Sequence, residues 1–174
     1  DLPKGYQISQ HTAPICRVGH VEIEVSGSKL SIPLNRIHIE EDAGKSIHDL
    51  YDNFSCIDLN RAGLPLLEIV TEPAIHSAED AAAFLTELRR ILRWLDVRDG
   101  NMEEGSLRCD ANVSLAPIKS GKLGTRSETK NVNSLRSIER AVQSEIERHA
   151  NLLDKGERVV QETRHFLEDS GLTR

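Results

Sequence analysis

The chain has 174 residues, the usual length of one domain, and its 22 Lys and Arg against 28 Asp and Glu give a formal net charge of −6. An acidic balance of this size argues against the strongly basic surface of an autonomous nucleic-acid-binding domain. The three cysteines form no C-x-x-C pair, which argues against a zinc ribbon or a disulfide framework, and no apolar run is long enough to predict a transmembrane helix.

The first part of the chain is predicted to form β-strands. Val21, Ile23 and Val25 alternate with glutamates, and a second alternating stretch over residues 30–34 follows a Ser-Gly-Ser turn. This pattern is typical of a β-hairpin. Further strands are predicted over residues 36–41, 54–59 and 66–70.

The strand that follows the hairpin raises the question of where Glu41 points. Glu41 has the same parity as Ile37 and Ile39, so strand alternation predicts that it faces the side that buries apolar groups. Glu40 and His38 are predicted to face the other side. A carboxylate on the inward side needs a partner. In the alternative, the strand ends at Ile39 and Glu41 lies in a solvated turn.

The second part of the chain mixes helices and strands. Apolar residues at helical spacing predict one helix that is capped by Ser77 and a second over residues 134–153, which ends before Gly156. Alternating strands are predicted over residues 106–115 and 125–131. The order of the elements indicates an α+β fold with an antiparallel sheet flanked by helices.

Polar side chains share one face of each of these two later strands. They are Arg108, Asp110 and Asn112 on the first strand and Arg126, Glu128 and Lys130 on the second. With Glu41 and Glu104 they make a carboxylate-rich set. Hard oxygen ligands select Mg²⁺, and phosphoryl transfer depends on this kind of charge neutralisation. The alternative is that these residues are scattered, solvated surface charges.

Other chemical motifs are missing or incomplete. The sequence has no G-x-x-x-x-G-K-[ST] or G-x-G-x-x-G loop, no G-x-S-x-G elbow and no H-x-x-x-H spacing, so zinc is not expected. Gly44-Lys45-Ser46 is similar to the end of a phosphate-binding loop but lacks its first glycine, which indicates a chance likeness. Cys109 lies on the apolar face of its predicted strand, where we expect it to pack and not to react.

Several stretches of the chain resemble the B subunit of aspartyl/glutamyl-tRNA amidotransferase (GatB). The longest runs from Met102 to Asn112, and it distinguishes the chain from the related archaeal E subunit. The resemblance covers essentially the whole chain. Its other parts are residues 39–46, 58–63, 66–73, 130–134 and 161–164.

The resemblance implies a kinase-like reaction. Such a subunit uses ATP and Mg²⁺ to phosphorylate the side-chain carboxylate of misacylated Glu-tRNA(Gln) or Asp-tRNA(Asn), and ammonia derived from glutamine then displaces phosphate. It works in a heterotrimer with an amidase subunit (GatA) and a small subunit (GatC). The family fold is a cradle of antiparallel sheet and helices related to glutamine synthetase, which agrees with the α+β prediction.

The resemblance also implies roles for individual residues. Glu41 and Glu128 match family metal ligands, and Asp110 matches a carboxylate of the catalytic site. As extrapolations from these positions, the further candidates are Glu104 and Lys130 as catalytic neighbours and Arg108, Asn112 and Lys45 as cofactor-binding residues. The acidic residues expected to be only solvated neighbours are Glu40, Asp42 and Glu103.

The resemblance finally predicts that residues 1–174 are only a part of the catalytic domain. An N-terminal segment with further metal ligands, and the C-terminal helical and tail domains that hold the tRNA, are expected outside this sequence. The protein would be cytoplasmic in a bacterium and mitochondrial in a eukaryote, and not secreted. A competing hypothesis treats the chain as a non-catalytic module that scaffolds the amidase subunit.

Overall fold

A computed structural model describes residues 4–119 and 121–174. Within this part of the chain the prediction of an α+β fold is confirmed, since strands and two helices are both present. In chain order the elements are β1 (Cys16–Val25), β2 (Ser28–Glu41), β3 (Lys45–Tyr51), β4 (Phe54–Asp58), β5 (Pro65–Thr71), α1 (Ala78–Trp94), β6 (Cys109–Val113), β7 (Ser127–Val132), α2 (Leu135–Asp154), β8 (Thr163–Leu167) and β9 (Leu172–Thr173). Neither described helix is long and apolar enough to cross a membrane.

The chain divides into two compact units. The first contains the described residues up to His20 and those from Ile32 to Ala74. In it, β2 and β5 pair antiparallel, from Leu34 opposite Thr71 to Glu41 opposite Pro65. The hairpin of β3 and β4 is also antiparallel. Strand β3 was not predicted, because most of its side chains are exposed and its sequence carries no clear alternation.

The buried side of β2 is opposite to the one predicted. His38 is fully buried, whereas Ile39 is 38% exposed. The ring of His38 tolerates burial because its Nε2 lies 3.1 Å from Glu40 Oε1 and 3.0 Å from Glu68 Oε2. The alternative that the strand ends at Ile39 is also wrong, since β2 continues to Glu41.

The second unit contains Val21–Ser31 and Ile75–Arg174, and its main sheet has the order β6-β7-β8-β9. Strands β6 and β7 pair antiparallel, as do β8 and β9, but β7 and β8 pair parallel. The prediction of an antiparallel sheet therefore holds for two of these three ladders. The short strands β8 and β9 were not predicted.

The core of this unit lies between the sheet and the two helices. Its buried members include Phe166 from β8, Val132 from β7 and Ala141 from α2. Cys109 and Ala111 of β6 pack against the same core, as the alternation of that strand predicted. The opposite face of β6 and β7, which carries the charged residues, is left toward solvent.

Both helices begin where the sequence predicts. The hydroxyl of Ser77 accepts a hydrogen bond from the Asp80 amide at the start of α1, and Ser134 accepts one from the Ser137 amide at the start of α2, each 3.0 Å long. A cap of this kind contributes about 1 kcal/mol to stability. Gly156 follows α2 with φ +74°, a conformation that favours glycine.

Candidate functional site

Four of the predicted site residues meet on the exposed face of β6 and β7. Asn112 lies directly opposite Glu128 in the ladder. The Nζ of Lys130 is 2.8 Å from Asp110 Oδ2 and 3.6 Å from Glu128 Oε1. One ammonium group thus lies between two carboxylates that would otherwise repel each other.

The charge of Lys130 is stabilised by its position. The hydrogen bond to Asp110 raises the pKa of Lys130, and the charges of Asp110 and Glu128 raise it further. Partial burial of the ammonium group lowers the pKa, but this effect is smaller. Lys130 therefore stays protonated at neutral pH. Its charge offsets part of the negative charge of the two carboxylates.

A cavity of about 310 Å³ opens beside this ion-pair cluster. It is lined by Asn112, Arg126, Glu128, Gln161, Glu162 and Thr163. Thr163 Oγ1 donates a 2.8 Å hydrogen bond to Glu128 Oε2, so the second carboxylate oxygen of Glu128 is also held. The three residues from Gln161 to Thr163 were not predicted as site residues, although they belong to one of the stretches on which the family resemblance rests.

Glu162 is fixed on the wall of this cavity by two arginines. Arg164 Nη1 donates a 2.8 Å hydrogen bond to Glu162 Oε1, and Arg148 Nη1 lies 3.4 Å from the same oxygen. Arg148 is itself bound through two hydrogen bonds, of 2.8 and 2.7 Å, to the buried carboxylate of Glu145. The wall is thereby tied to helix α2.

Glu145 is the centre of a buried polar network behind β7. It accepts hydrogen bonds from Ser127 and Thr173, and Ser127 Oγ also lies 2.8 Å from His149 Nε2. Burial alone would raise the pKa of Glu145, but the hydrogen bonds from Arg148, Ser127 and Thr173 outweigh it and hold the pKa at about 2. Because Ser127 precedes Glu128, this network anchors the strand that carries the site.

Two other predicted residues of this unit belong neither to the ion-pair cluster nor to the cavity wall. Glu104 is exposed in the turn that precedes β6, and Arg108 is exposed immediately before that strand, although it was predicted to lie within it. Neither belongs to the described residues of the cavity wall. Their roles as catalytic neighbour and cofactor-binding residue stay predictions.

Glu41 and Lys45 belong to the first unit. Glu41 is half-buried at the end of β2, and its carboxylate accepts a hydrogen bond from Lys4. Glu41 was predicted to face the buried side, but it lies on the other side of β2, with Ile39, and Lys4 is its partner there. Lys45 opens β3 opposite Asp58 and is exposed. The metal-binding role of Glu41 and the cofactor-binding role of Lys45 stay predictions.

Sequence reasoning missed a group of potential metal ligands in the first unit. His38, Glu40 and Glu68 each offer a ligand atom, and these atoms lie within 4.8 Å of one another. Spacing along the sequence does not reveal the group, because Glu68 reaches His38 from the neighbouring strand β5. Burial raises the pKa of Glu40, but hydrogen bonds from Ser9 and His38 lower it below the ordinary value.

Two acidic residues near Glu41 are less exposed than their sequence suggested. Asp42 was expected to be a solvated neighbour, yet it is buried and lies 3.0 Å from Arg61 Nε. Glu40 was expected to be solvated as well and is instead tied to His38 and Ser9. Both expectations were wrong because each carboxylate has a partner that is distant in sequence, Arg61 for Asp42 and Ser9 for Glu40.

Comparison with known proteins gives consistent matches over the whole chain. The sequence model of the family described as GatB/GatE catalytic domain matches residues 1–174. Three of the most similar relatives are each named as the B subunit of an aspartyl/glutamyl-tRNA(Asn/Gln) amidotransferase. The protein from Oleidesulfovibrio alaskensis is 59% identical over 166 residues, which cover 95% of this chain and 35% of the relative. That from Chlorobium chlorochromatii is 56% identical over 174 residues, with 100% and 36% covered.

The third relative, from Thermodesulfovibrio yellowstonii, is 52% identical over 173 residues, which cover 99% of this chain and 36% of the relative. The chain thus spans little more than a third of the length of the curated relatives it matches.

Proposed function

The chain belongs to the GatB/GatE catalytic domain family, and from this membership we propose that it carries part of the kinase site of a tRNA-dependent amidotransferase. In the proposed reaction, a side-chain carboxylate oxygen of Glu-tRNA(Gln) or Asp-tRNA(Asn) attacks the γ-phosphorus of ATP, and ADP leaves. Ammonia then attacks the carbonyl carbon of the acyl phosphate, phosphate departs, and the side-chain amide is formed. The match of the family model to the whole chain is the observation that carries this proposal.

The geometry of the second unit supports the proposal. Phosphoryl transfer is catalysed chiefly by positioning and by charge stabilisation, not by covalent chemistry of the protein. Lys130 on β7 and Arg126 just before that strand provide positive charge near a polar cavity, and Asp110 on β6 and Glu128 on β7 provide carboxylates. Rigid strands hold Asp110, Glu128 and Lys130 more precisely than loops would.

The residues present also fit a magnesium ion. The donor set of the cluster consists of oxygens from Asp110, Glu128 and Asn112, with the hydroxyl of Thr163 beside them, and Mg²⁺ prefers such hard ligands. When bound with a nucleotide, Mg²⁺ neutralises charge on the phosphates. We propose Glu128 as the principal ligand in this unit, and Glu41 stays a proposed metal ligand in its own unit.

The names of the relatives support the proposal that the whole protein has partner subunits. Each is named as one subunit of an amidotransferase, which describes one member of a complex. We propose that the whole protein works with an amidase subunit (GatA), which releases ammonia from glutamine, and with a small subunit (GatC). Misacylated tRNA would be the substrate.

The proposal is tested with the full-length protein assembled with its partner subunits. The complex is given ATP labelled at the γ-phosphate and Glu-tRNA(Gln), with no glutamine or ammonia present. Labelled phosphate on the glutamyl side chain is the expected result. Glutamine hydrolysis by the same complex is measured in a separate assay. If that hydrolysis is intact and no label reaches the aminoacyl-tRNA, the kinase proposal is wrong and the scaffold hypothesis is favoured.

A further inference from the structure

Strand β7 contains an extra residue at the candidate site. In its ladder with β6, Ala111 lies opposite Thr129, but Cys109 lies opposite Val132. Lys130 and Asn131 therefore share a single partner position, that of Asp110. Two residues opposite one is a β-bulge, a feature that redirects side chains and is common beside active sites.

The backbone of Asn131 produces this bulge. Its φ is +65°, in the left-handed region, which asparagine and glycine adopt more readily than other residues. Its side-chain amide donates a 3.1 Å hydrogen bond to the carbonyl of Phe166 on β8. This bond follows the last parallel backbone pair, Lys130 with His165, and so ties the bulge to the neighbouring strand.

The bulge changes which side chains enter the core. Ser127 and Thr129 are buried, and simple alternation would direct residue 131 inward as well. Because of the extra residue, Asn131 is exposed and Val132 is buried at 4% exposure. Lys130 meanwhile stays on the polar face, beside Asp110 and Glu128.

We propose that Asn131 is a positioning residue of this site, whose left-handed backbone holds Lys130 between the carboxylates of Asp110 and Glu128. The inference rests on the proposed function for its effect on catalysis and assigns Asn131 no contact with substrate. It also predicts a structural effect that can be measured without any activity.

Two substitutions separate the backbone conformation from the side-chain bond. Asn131→Gly keeps the left-handed conformation and loses the bond to Phe166, so phosphorylation of Glu-tRNA(Gln) by the assembled complex should stay within about threefold of wild type. Asn131→Ala loses both, and kcat should fall by about tenfold or more while glutamine hydrolysis is unchanged. Equal losses in the two variants would overturn the role of the left-handed backbone.

A matched control tests whether any strained position has the same effect. Asp96 also has a positive φ, +55°, but it follows helix α1 and does not line the cavity. Asp96→Ala should leave the phosphorylation rate unchanged. A loss as large as that of Asn131→Ala would show a general effect of backbone strain and would contradict the proposal.

A double substitution tests whether Asn131 acts through Lys130. If it does, Asn131→Ala should reduce kcat by less than about twofold in a Lys130→Ala background, because the interaction is already lost. If the double variant loses the product of the two single-variant factors in kcat, the two residues act independently and the proposal is overturned.

A crystal structure of the Asn131→Ala complex supplies the independent measurement. We expect the distance between Lys130 Nζ and the nearest carboxylate oxygen of Asp110 to exceed about 4 Å, which is beyond ion-pair distance. An unchanged ion pair overturns the inference. A wild-type complex that transfers no phosphate overturns the proposed function instead, and the crystallographic result still decides the role of Asn131.

Discussion

The Nζ of Lys130 on β7 lies 2.8 Å from Oδ2 of Asp110 on β6. This cross-strand ion pair joins the two strands that carry the candidate site, on the face opposite the core. Both side chains are more than 40% exposed, so the pair is well placed to act on a ligand and poorly placed to stabilise the fold. Its main consequence is therefore expected in activity.

The first prediction separates the effect of this ion pair on activity from its effect on the stability of the fold. Lys130→Met should lower the free energy of unfolding by less than about 1 kcal/mol, because exposed ion pairs contribute little. The rate of ATP-dependent phosphorylation should fall by about tenfold or more, because a charge at the proposed site is lost. Chemical denaturation and a phosphate-transfer assay measure the two effects. Lys155→Met, at the exposed end of α2, is the control and should change neither quantity.

The second prediction concerns the buried carboxylate of Glu145. Glu145→Gln replaces the buried carboxylate that binds Arg148, Ser127 and Thr173 with a neutral amide, and a hydrogen bond to a charged group contributes roughly 1.5–3 kcal/mol. The free energy of unfolding from urea denaturation should fall by this amount. Glu147→Gln, on the exposed side of the same helix, should change it by less than about 0.5 kcal/mol. Equal effects of the two substitutions would contradict the buried network.

The third prediction is the pH dependence that Glu145 causes. Its pKa is about 2 in the folded protein, below the ordinary value of 4.5, so the unfolded chain binds the proton more tightly. The stabilisation from Glu145 is therefore complete above the ordinary pKa and is lost as the pH falls toward 2. Urea denaturation of wild type should show a steeper loss of stability over this range than denaturation of Glu145→Gln. Parallel curves would rule out a low pKa for Glu145.

The fourth prediction concerns thiol reactivity. Burial raises the pKa of Cys109 to about 12, and the nearby charge of Asp110 adds to this shift. Since the thiolate is the reactive form, Cys109 should be alkylated far more slowly than the exposed Cys16 in the folded protein. Mass spectrometry after a short treatment with iodoacetamide measures both rates. Similar labelling of the two thiols in the folded protein would contradict the packing of Cys109. As a control, the unfolded protein should label both thiols at similar rates.

Local patterns were sufficient to predict the helices and the orientation of β6. Ser77 and Ser134 cap α1 and α2 because capping depends on residues a few positions apart. Cys109 faces the core of its unit because strand alternation is also local. The cluster of Asp110, Glu128 and Lys130 follows from two such alternating strands once they pair.

The remaining features depend on contacts between distant parts of the chain. The burial of His38 requires Glu68, which β5 places opposite it, and no pattern within β2 contains that information. The wall of the cavity depends on the parallel pairing of β8 with β7, and β8 is too short and too polar to be recognised alone. The bulge at Asn131 is likewise set by its partner strands.

The central claim, that Glu128 belongs to an ATP-dependent kinase site, is tested most directly by one substitution. Glu128→Gln in the assembled complex keeps the shape of the side chain and removes its charge. Transfer of labelled γ-phosphate to Glu-tRNA(Gln) should fall by about a hundredfold or more, while glutamine hydrolysis stays intact. Glu139→Gln, on the exposed side of α2, is the control and should leave both activities unchanged. Phosphate transfer at the wild-type rate by Glu128→Gln would contradict the account.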